Sequence, residues 1–294
     1  MPVEPRHDLK TAMGAREKLF GKGGPPVAAI GQGSWEIDIA REPDALAALR
    51  RGLDLGLTHI DTAEMYGNGA SERLVGKAIQ GRREEVFLVS KVLPSNASRR
   101  GTVKACERSL QALGTDHLDC YLLHWRGSHP LAETVTAFEE LRKAGKIRRW
   151  GVSNFDVDDL EEITRLAGSP TCNQVLYHVG ERAIEHAVIP WCESNGTAVV
   201  AYTPFGQSPS FYDARTGGGR VLQRIADAHG ATPRQVALQF LLRHPSVFVI
   251  PKAAQVAHVE DNAGAMKVEL SAQDVRAIDV AFKRGPKPRS LPMI

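Results

Sequence analysis

Short apolar runs of β type recur along the chain near 26 to 30, 57 to 60, 86 to 90, 118 to 123, 148 to 152, 172 to 176, 198 to 202 and 246 to 250, eight in all. Patterns with helical spacing separate them. Each run but the last two is followed by one helix of ordinary length, and a longer loop plus a helix fills the gap between those two. Eight such repeats over 294 residues fit a (β/α)8 TIM barrel of the α/β class better than an open sheet, which usually carries fewer strands. The chain is 43% hydrophobic, enough for a core of that size. No internal repeat or interdomain linker breaks the pattern, so residues 25 to 294 are expected to form one barrel. Residues 1 to 24 are polar and end in Gly21-Lys22-Gly23-Gly24, which predicts an N-terminal arm or a small hairpin.

Several helices announce their own ends. Pro43-Asp44 opens one with Leu46, Leu49 and Leu53 on one face and Gly56 after it. Asp156 caps a second, which turns Leu160 and Ile163 inward and closes at Gly168. Thr232-Pro-Arg-Gln235 has the form of a capping box, and Ser271-Ala-Gln-Asp274 opens a last helix with Val275, Ile278 and Phe282 in one stripe.

In a barrel of this kind the active site is built at the carboxyl ends of the strands. There the sequence becomes polar. Asp61 and Tyr66 follow the second run, Lys91 ends the third and His124 the fourth. A charged lysine or a histidine is an unusual last residue for an apolar strand unless the site uses it. Ser34 and Trp35 follow the first run, Trp125 the fourth, and Ser153 and Asn154 the fifth. Asn173 and Gln174 belong to the sixth, Tyr202 to Phe205 end the seventh, and Pro251 and Lys252 end the eighth. An ammonium beside a phenol is expected to lower the phenol's pKa, with the carboxylate holding the ammonium charged and in place. A neutral histidine opposite can donate to a substrate oxygen. Together these make a tyrosine able to deliver a proton to a carbonyl oxygen that is becoming an alkoxide.

Taken in order, Asp61 with Tyr66, Lys91, His124, Gly151-Val-Ser153-Asn154-Phe, Asn173-Gln174-Val, Ala201-Tyr202-Thr-Pro and Ile250-Pro251-Lys252 closely resemble the aldo-keto reductases, over about 26 to 283. The resemblance implies a nicotinamide-dependent reductase of aldehyde and ketone carbonyls. Tyr66 would be the general acid, Lys91 and Asp61 would tune it, and His124 would orient the carbonyl. It also implies that Ser153, Asn154 and Gln174 hold the carboxamide and Tyr202 stacks on the nicotinamide. Ser34, Asp61, Thr203, Pro204 and Phe205 would join the cofactor site, with 203 to 207 around the pyrophosphate. At the adenosine end it implies Lys252 at a 2′-phosphate, followed by His258, Asp261 and Asn262. His258 falls where NADPH-preferring members carry an arginine, and a neutral imidazole offers less charge than a guanidinium. NADP(H) is therefore the expected cofactor, with NAD(H) use left open.

Trp35 and Trp125 are expected to line the substrate slot, unless they only pack the rim. Gln207 to Gly219 is expected as a mobile loop over the cofactor or an ordinary surface loop. The segment Lys283 to Ile294 is shorter than the specificity tail of the family's longer members, which predicts broad substrate choice.

The partner is expected to be a small carbonyl compound. A net charge of +3 without a basic run argues against nucleic acid, and no stretch is apolar for long enough to span a membrane. Cys106, Cys120, Cys172 and Cys192 lie apart inside mostly apolar runs, which suits free thiols in a reducing cytoplasm. A monomer is expected. Two other readings stay open. His59 and Asp61 lie two apart on one strand and would face the same way, as ligands of a metal-dependent hydrolase do, although no metal is expected beside Lys91. A cofactor-sensing barrel with little turnover is the other.

Overall fold

The structure is a computed structural model that describes residues 17 to 294. The expected N-terminal arm falls in part, over 1 to 16, outside the described residues. A hairpin comes first, with β1 at Glu17–Leu19 and β2 at Pro26–Ala28. Eight further strands follow: β3 Gln32–Gly33, β4 His59–Asp61, β5 Phe87–Val92, β6 Leu118–Leu123, β7 Ile147–Ser153, β8 Cys172–Leu176, β9 Ala198–Tyr202 and β10 Val247–Val249. These eight pair in chain order as one parallel sheet. Parallel bridges from Ile30 to Val249 and from Gly33 to Lys252 join its two edges, as a closed (β/α)8 barrel requires.

One expected strand is corrected. Pro26–Ala28 does not enter the barrel but pairs antiparallel with β1, Lys18 opposite Val27. The first barrel strand runs instead from the bridge at Ile30 through Gln32–Gly33. Residues 26 to 30 read as a core strand because Val27, Ala28 and Ala29 are buried. The hairpin turn carries the fully buried Phe20 to the floor of the barrel, where its ring lies 4.6 Å from Phe87 and 5.0 Å from Phe248.

The helices are α1 Glu42–Asp54, α2 Ala70–Ile79, α3 Arg99–Leu113, α4 Leu131–Lys143, α5 Val157–Ala167, α6 Val188–Asn195, α7 Gly217–His229, α8 Pro233–Leu241, α9 Val256–Gly264 and α10 Ala272–Ala281. Asp156 caps α5, and the expected capping boxes stand at Thr232 and Ser271. The last crossover holds two helices, α7 and α8, where one was expected. Part of the expected loop is helix, because Thr216 accepts from the Gly219 amide and starts α7 inside it. A 3-10 turn at Pro209–Tyr212 occupies the middle of the same segment, with the Phe211 ring 5.3 Å from His178.

Alternation along the strands builds the site. One inward row on β5 climbs from Phe87 through Val89 to Lys91, and on β6 from Cys120 through Leu122 to His124. On β9 the row is Ala198, Val200, Tyr202, and beside it Phe248 and Ile250 lead to Lys252. Each row is apolar at the floor and polar at the mouth. The four cysteines are free and buried within this framework.

His59 breaks the rule, as a polar group near the floor. Its ring is fully buried among Phe20, Phe87 and Phe248, and neither nitrogen has a hydrogen-bond partner. Burial, assisted by the Lys91 charge, lowers its pKa to about 3. The unfolded chain therefore takes up this proton first, near the ordinary value of about 6.5. The stability tied to neutral His59 is complete above that pH and is lost as pH falls toward about 3. His59→Leu is expected to move the acid-unfolding midpoint, followed by circular dichroism, to lower pH by about half a unit or more. At neutral pH it should change stability by no more than about 1 kcal/mol, since it removes a buried polar group that has no partner. Superimposable acid-unfolding curves for parent and variant would refute the assignment.

Candidate active site

Lys91 is wholly buried near the end of β5, and its ammonium has three donors to place. Nζ donates to Asp61 Oδ2 at 2.6 Å, to the Thr62 carbonyl at 2.9 Å and to Tyr66 Oη at 3.1 Å. No donor is left over. Gln174 Nε2 holds the other Asp61 oxygen at 2.7 Å. Burial alone would lower the Lys91 pKa, but Asp61 and Tyr66 overcome it and the ammonium is held above the ordinary lysine value. Burial pushes the Asp61 carboxyl upward against the pull of Lys91 and Gln174.

Tyr66 departs from expectation in one respect. Burial raises its pKa above that of a free phenol, and the Lys91 charge opposes this without reversing it. The phenol is thus a protonated group at neutral pH. Because its oxygen accepts from Lys91, its own hydrogen points elsewhere, and Tyr66 lines the open cavity.

The Tyr66 loop is shaped by its backbone and by Glu64. Gly67 and Asn68 turn with φ of 54° and 51°, and a Cβ on Gly67 would meet Asp38 Oδ2 at 2.1 Å. Glu64 Oε1 accepts from the Leu93 amide at 2.8 Å and from Asn96 Nδ2 at 2.9 Å, and Oε2 accepts from Arg108 at 3.0 Å. This carboxylate ties the loop to the end of β5. The sequence signal for it was only an acid between Asp61 and Tyr66.

His124 stands opposite, its ring 5.8 Å from that of Tyr66 and edge-on. Burial, with the Lys91 charge in support, lowers its pKa to about 2, so the imidazole is neutral. Its Nδ1 is buried without an acceptor. The proton is therefore assigned to Nε2, the nitrogen open to the cavity.

Asp61, Tyr66 and His124 open on a cavity of about 330 Å³, with Lys91 behind them and outside its lining. Ser34, Trp35, Asp61, Tyr66, His124, Trp125, Ser153, Asn154, Gln174, Tyr202, Thr203, Pro204, Phe205 and Lys252 all line it, so most of the residues singled out in the sequence converge. Glu36, Met65, Gly206, Gln207, Ile250 and Ile294 line it as well. His258, Asp261 and Asn262 do not. They lie on α9, where Asp261 Oδ1 accepts from Thr232 Oγ1 at 2.9 Å and from Gln235 Nε2 at 3.0 Å, Asn262 is buried, and His258 is exposed. Asn173, on the face of β8 away from Gln174, holds the Phe155 backbone at 2.8 Å.

Ser153 Oγ donates to the Gln174 carbonyl at 2.9 Å, Asn154 Nδ2 donates to Ser153 Oγ at 3.3 Å, and Tyr202 Oη donates to Asn154 Oδ1 at 2.9 Å. Gln174 Oε1 is left for a ligand amide. Ser34 Oγ is fully buried at the cavity wall without a partner. An amide-binding rail, an aromatic face at Tyr202 and an exposed cation at Lys252 suit the nicotinamide and phosphate ends of a dinucleotide. Positive φ outside glycine occurs among the described residues at Glu36, Asn68, Asn154 and Thr203. Three of these line the cavity and the fourth is in the Tyr66 turn, so backbone strain is concentrated where the ligand would sit. Among the described residues no group of three or more His, Cys, Asp or Glu is placed to hold a metal ion. No helix among them is long and apolar enough to cross a membrane.

Methylglyoxal reductase YeaE of Escherichia coli (strain K12) is 46% identical over 270 residues, which cover 90% of this chain and 95% of the relative. Glyoxal reductase of Bacillus subtilis (strain 168) is 34% identical over 266 residues, covering 89% of this chain and 92% of the relative. The crystal structure of an aldo/keto reductase from Klebsiella pneumoniae in complex with NADP and acetate superposes with a TM-score of 0.89 at 43% identity, covering 95% of this chain and 100% of that one. The model of the aldo/keto reductase family matches residues 29–282, and with this match and these relatives the chain belongs to that family.

Proposed function

We propose that the protein reduces aldehyde and ketone carbonyls with NADP(H), Tyr66 giving the proton. The observation that carries this is the saturation of Lys91. With all three ammonium donors engaged, one of them on Tyr66 Oη, the phenol's hydrogen is directed into the cavity beside the neutral His124. A bound nicotinamide supplies the hydride. His124 Nε2–H and the Tyr66 hydroxyl together receive the carbonyl oxygen, and Tyr66 releases its proton as that oxygen gains charge. Lys91 then stabilises the phenolate left behind, with Asp61 and Gln174 holding the ammonium in register. Ser153, Asn154, Gln174 and Ser34 orient the carboxamide end, Tyr202 offers its ring, and Lys252 faces the phosphate-bearing half.

The substrate slot is apolar around these two donors. Trp35, Met65 and Trp125 form its walls, which suits small uncharged carbonyl compounds. The relatives' names make methylglyoxal and glyoxal the first substrates to test. Reduction followed at the NADPH absorbance should show turnover with these and with simple aldehydes. Binding of NADPH without turnover of any carbonyl would favour the sensing barrel instead.

The protonation states fix a pH dependence. The acid must be protonated, and its raised pKa extends that form above the range of a free phenol, while His124 at about 2 titrates far below. We expect kcat/KM for reduction to be level from about pH 6 to about pH 9. A break near pH 6.5 would show that a histidine supplies the proton.

A further inference from the structure

The adenosine end of the site lacks a guanidinium at the position where the family resemblance points, since His258 stands there. The structure supplies one from another helix. Arg234 is the second residue of α8, and its guanidinium lies 5.2 Å from the centre of the Phe205 ring and 5.9 Å from that of Tyr212. Phe205 is part of the cavity wall, so an exposed cation is laid along the rim of the dinucleotide site.

The partners of the other arginines that stack on aromatic rings sharpen the point. Arg182 and Arg243, both over Phe240, are ion-paired to Glu185 at 2.8 and 2.6 Å. Among the described residues no carboxylate pairs with Arg234. Asp261 is engaged by Thr232 and Gln235, the residues flanking Pro233 and Arg234 in the first turn of α8. Those bonds also fasten that turn to α9, the helix that carries His258. Arg234 is thus preorganised by two rings, uncommitted to any acid, and held at the α8–α9 joint.

We propose that Arg234 contacts the 2′-phosphate of NADP(H) and selects it over NAD(H), in the role the resemblance would give to an arginine at 258. The inference rests on the dinucleotide reading of the cavity. A planar fork of donors matches a phosphate in a way that a single ammonium does not. Stacking on Phe205 and Tyr212 reduces the freedom the side chain must lose on binding. Lys252 adds a point charge, and the two cations together bring to a phosphate dianion what neither brings to the 2′-hydroxyl of NAD(H).

The test is dissociation constants for NADPH and NADH, from tryptophan fluorescence quenching of the full chain without a carbonyl, for the parent, Arg234→Gln and Arg234→Lys. Arg234 is exposed, and matched thermal unfolding of the variants would show that the fold is kept. Arg234→Gln is expected to weaken NADPH about ten- to a hundredfold and NADH by less than about twofold. Arg234→Lys should recover part of the loss. The salt dependence of NADPH binding should become shallower in the glutamine variant. Equal weakening of both dinucleotides, or no weakening of either, would overturn the assignment. A parent protein that binds neither would overturn the dinucleotide reading, and this inference with it, a result distinct from parent binding that Arg234→Gln leaves unselective or unchanged.

Discussion

Tyr66→Phe should reduce kcat for carbonyl reduction by about a hundred- to ten-thousandfold while leaving the NADPH dissociation constant within about twofold. The substitution keeps the ring, and so the edge-on contact with His124 at 5.8 Å, and removes one hydroxyl. No neighbour can take over its proton. His124 is a neutral donor, and losing its remaining proton would leave an imidazolate, far beyond reach at neutral pH. The Lys91 ammonium, held above the ordinary lysine value by Asp61 and Tyr66 in the parent, lies behind the ring and does not line the cavity. The variant also leaves one Lys91 donor without an acceptor, since that bond ran to Tyr66 Oη at 3.1 Å. A stability loss of about 1 to 3 kcal/mol in urea is expected from this. Reduction at the parent rate would show that another group, or water, supplies the proton.

Lys91→Met should do more damage to the fold. It removes the cation from a carboxylate that is 1% exposed and would retain only the hydrogen bond from Gln174. Stripping one partner from a buried ion pair costs about 3 to 5 kcal/mol. Asp61 would then favour its protonated form in the fold, with a pKa above its unfolded value. The sign follows from that shift: the variant is least impaired below about pH 4, and it loses stability as pH rises through the raised value. Urea midpoints at about pH 5 and about pH 8 should therefore diverge from the parent's, more so at the higher pH. Lys91→Met combined with Asp61→Asn should recover much of the stability, because the buried charge is gone, and none of the activity. A double variant as unstable as the single one would place the defect in packing and not in charge.

The barrel and the core of its site were readable from residue order because strand geometry makes them so. A period of two carries Phe87, Val89 and Lys91 up one inward row, and a lysine ending such a row has nowhere to go except the mouth. Caps at Asp156, Thr232 and Ser271 were legible for a similar reason, since each acts within three residues of itself. The failures share the opposite property. Pro26–Ala28 is apolar because a hairpin folds it against the floor, and nothing local distinguishes that burial from burial in the barrel. The sign of the Tyr66 shift depends on how completely distant loops enclose it, so the nearby lysine suggested an acidic phenol where burial prevails. Glu64 and Arg234 act on partners that the fold supplies: Glu64 reaches Leu93 and Arg108, and Arg234 reaches Phe205. A charge whose partner lies some thirty residues away carries no period to betray it.

The Phe20 hairpin has a consequence for traffic. With that ring wedged between Phe87 and Phe248, the channel through the strands is stoppered at one end, and its interior is packed as far as Val89, Leu122 and Val200. Dinucleotide and carbonyl must then pass through a single doorway. Where one guest lies beneath the other, the inner one has to arrive first and leave last, so a closed floor makes the order of entry a property of the barrel itself.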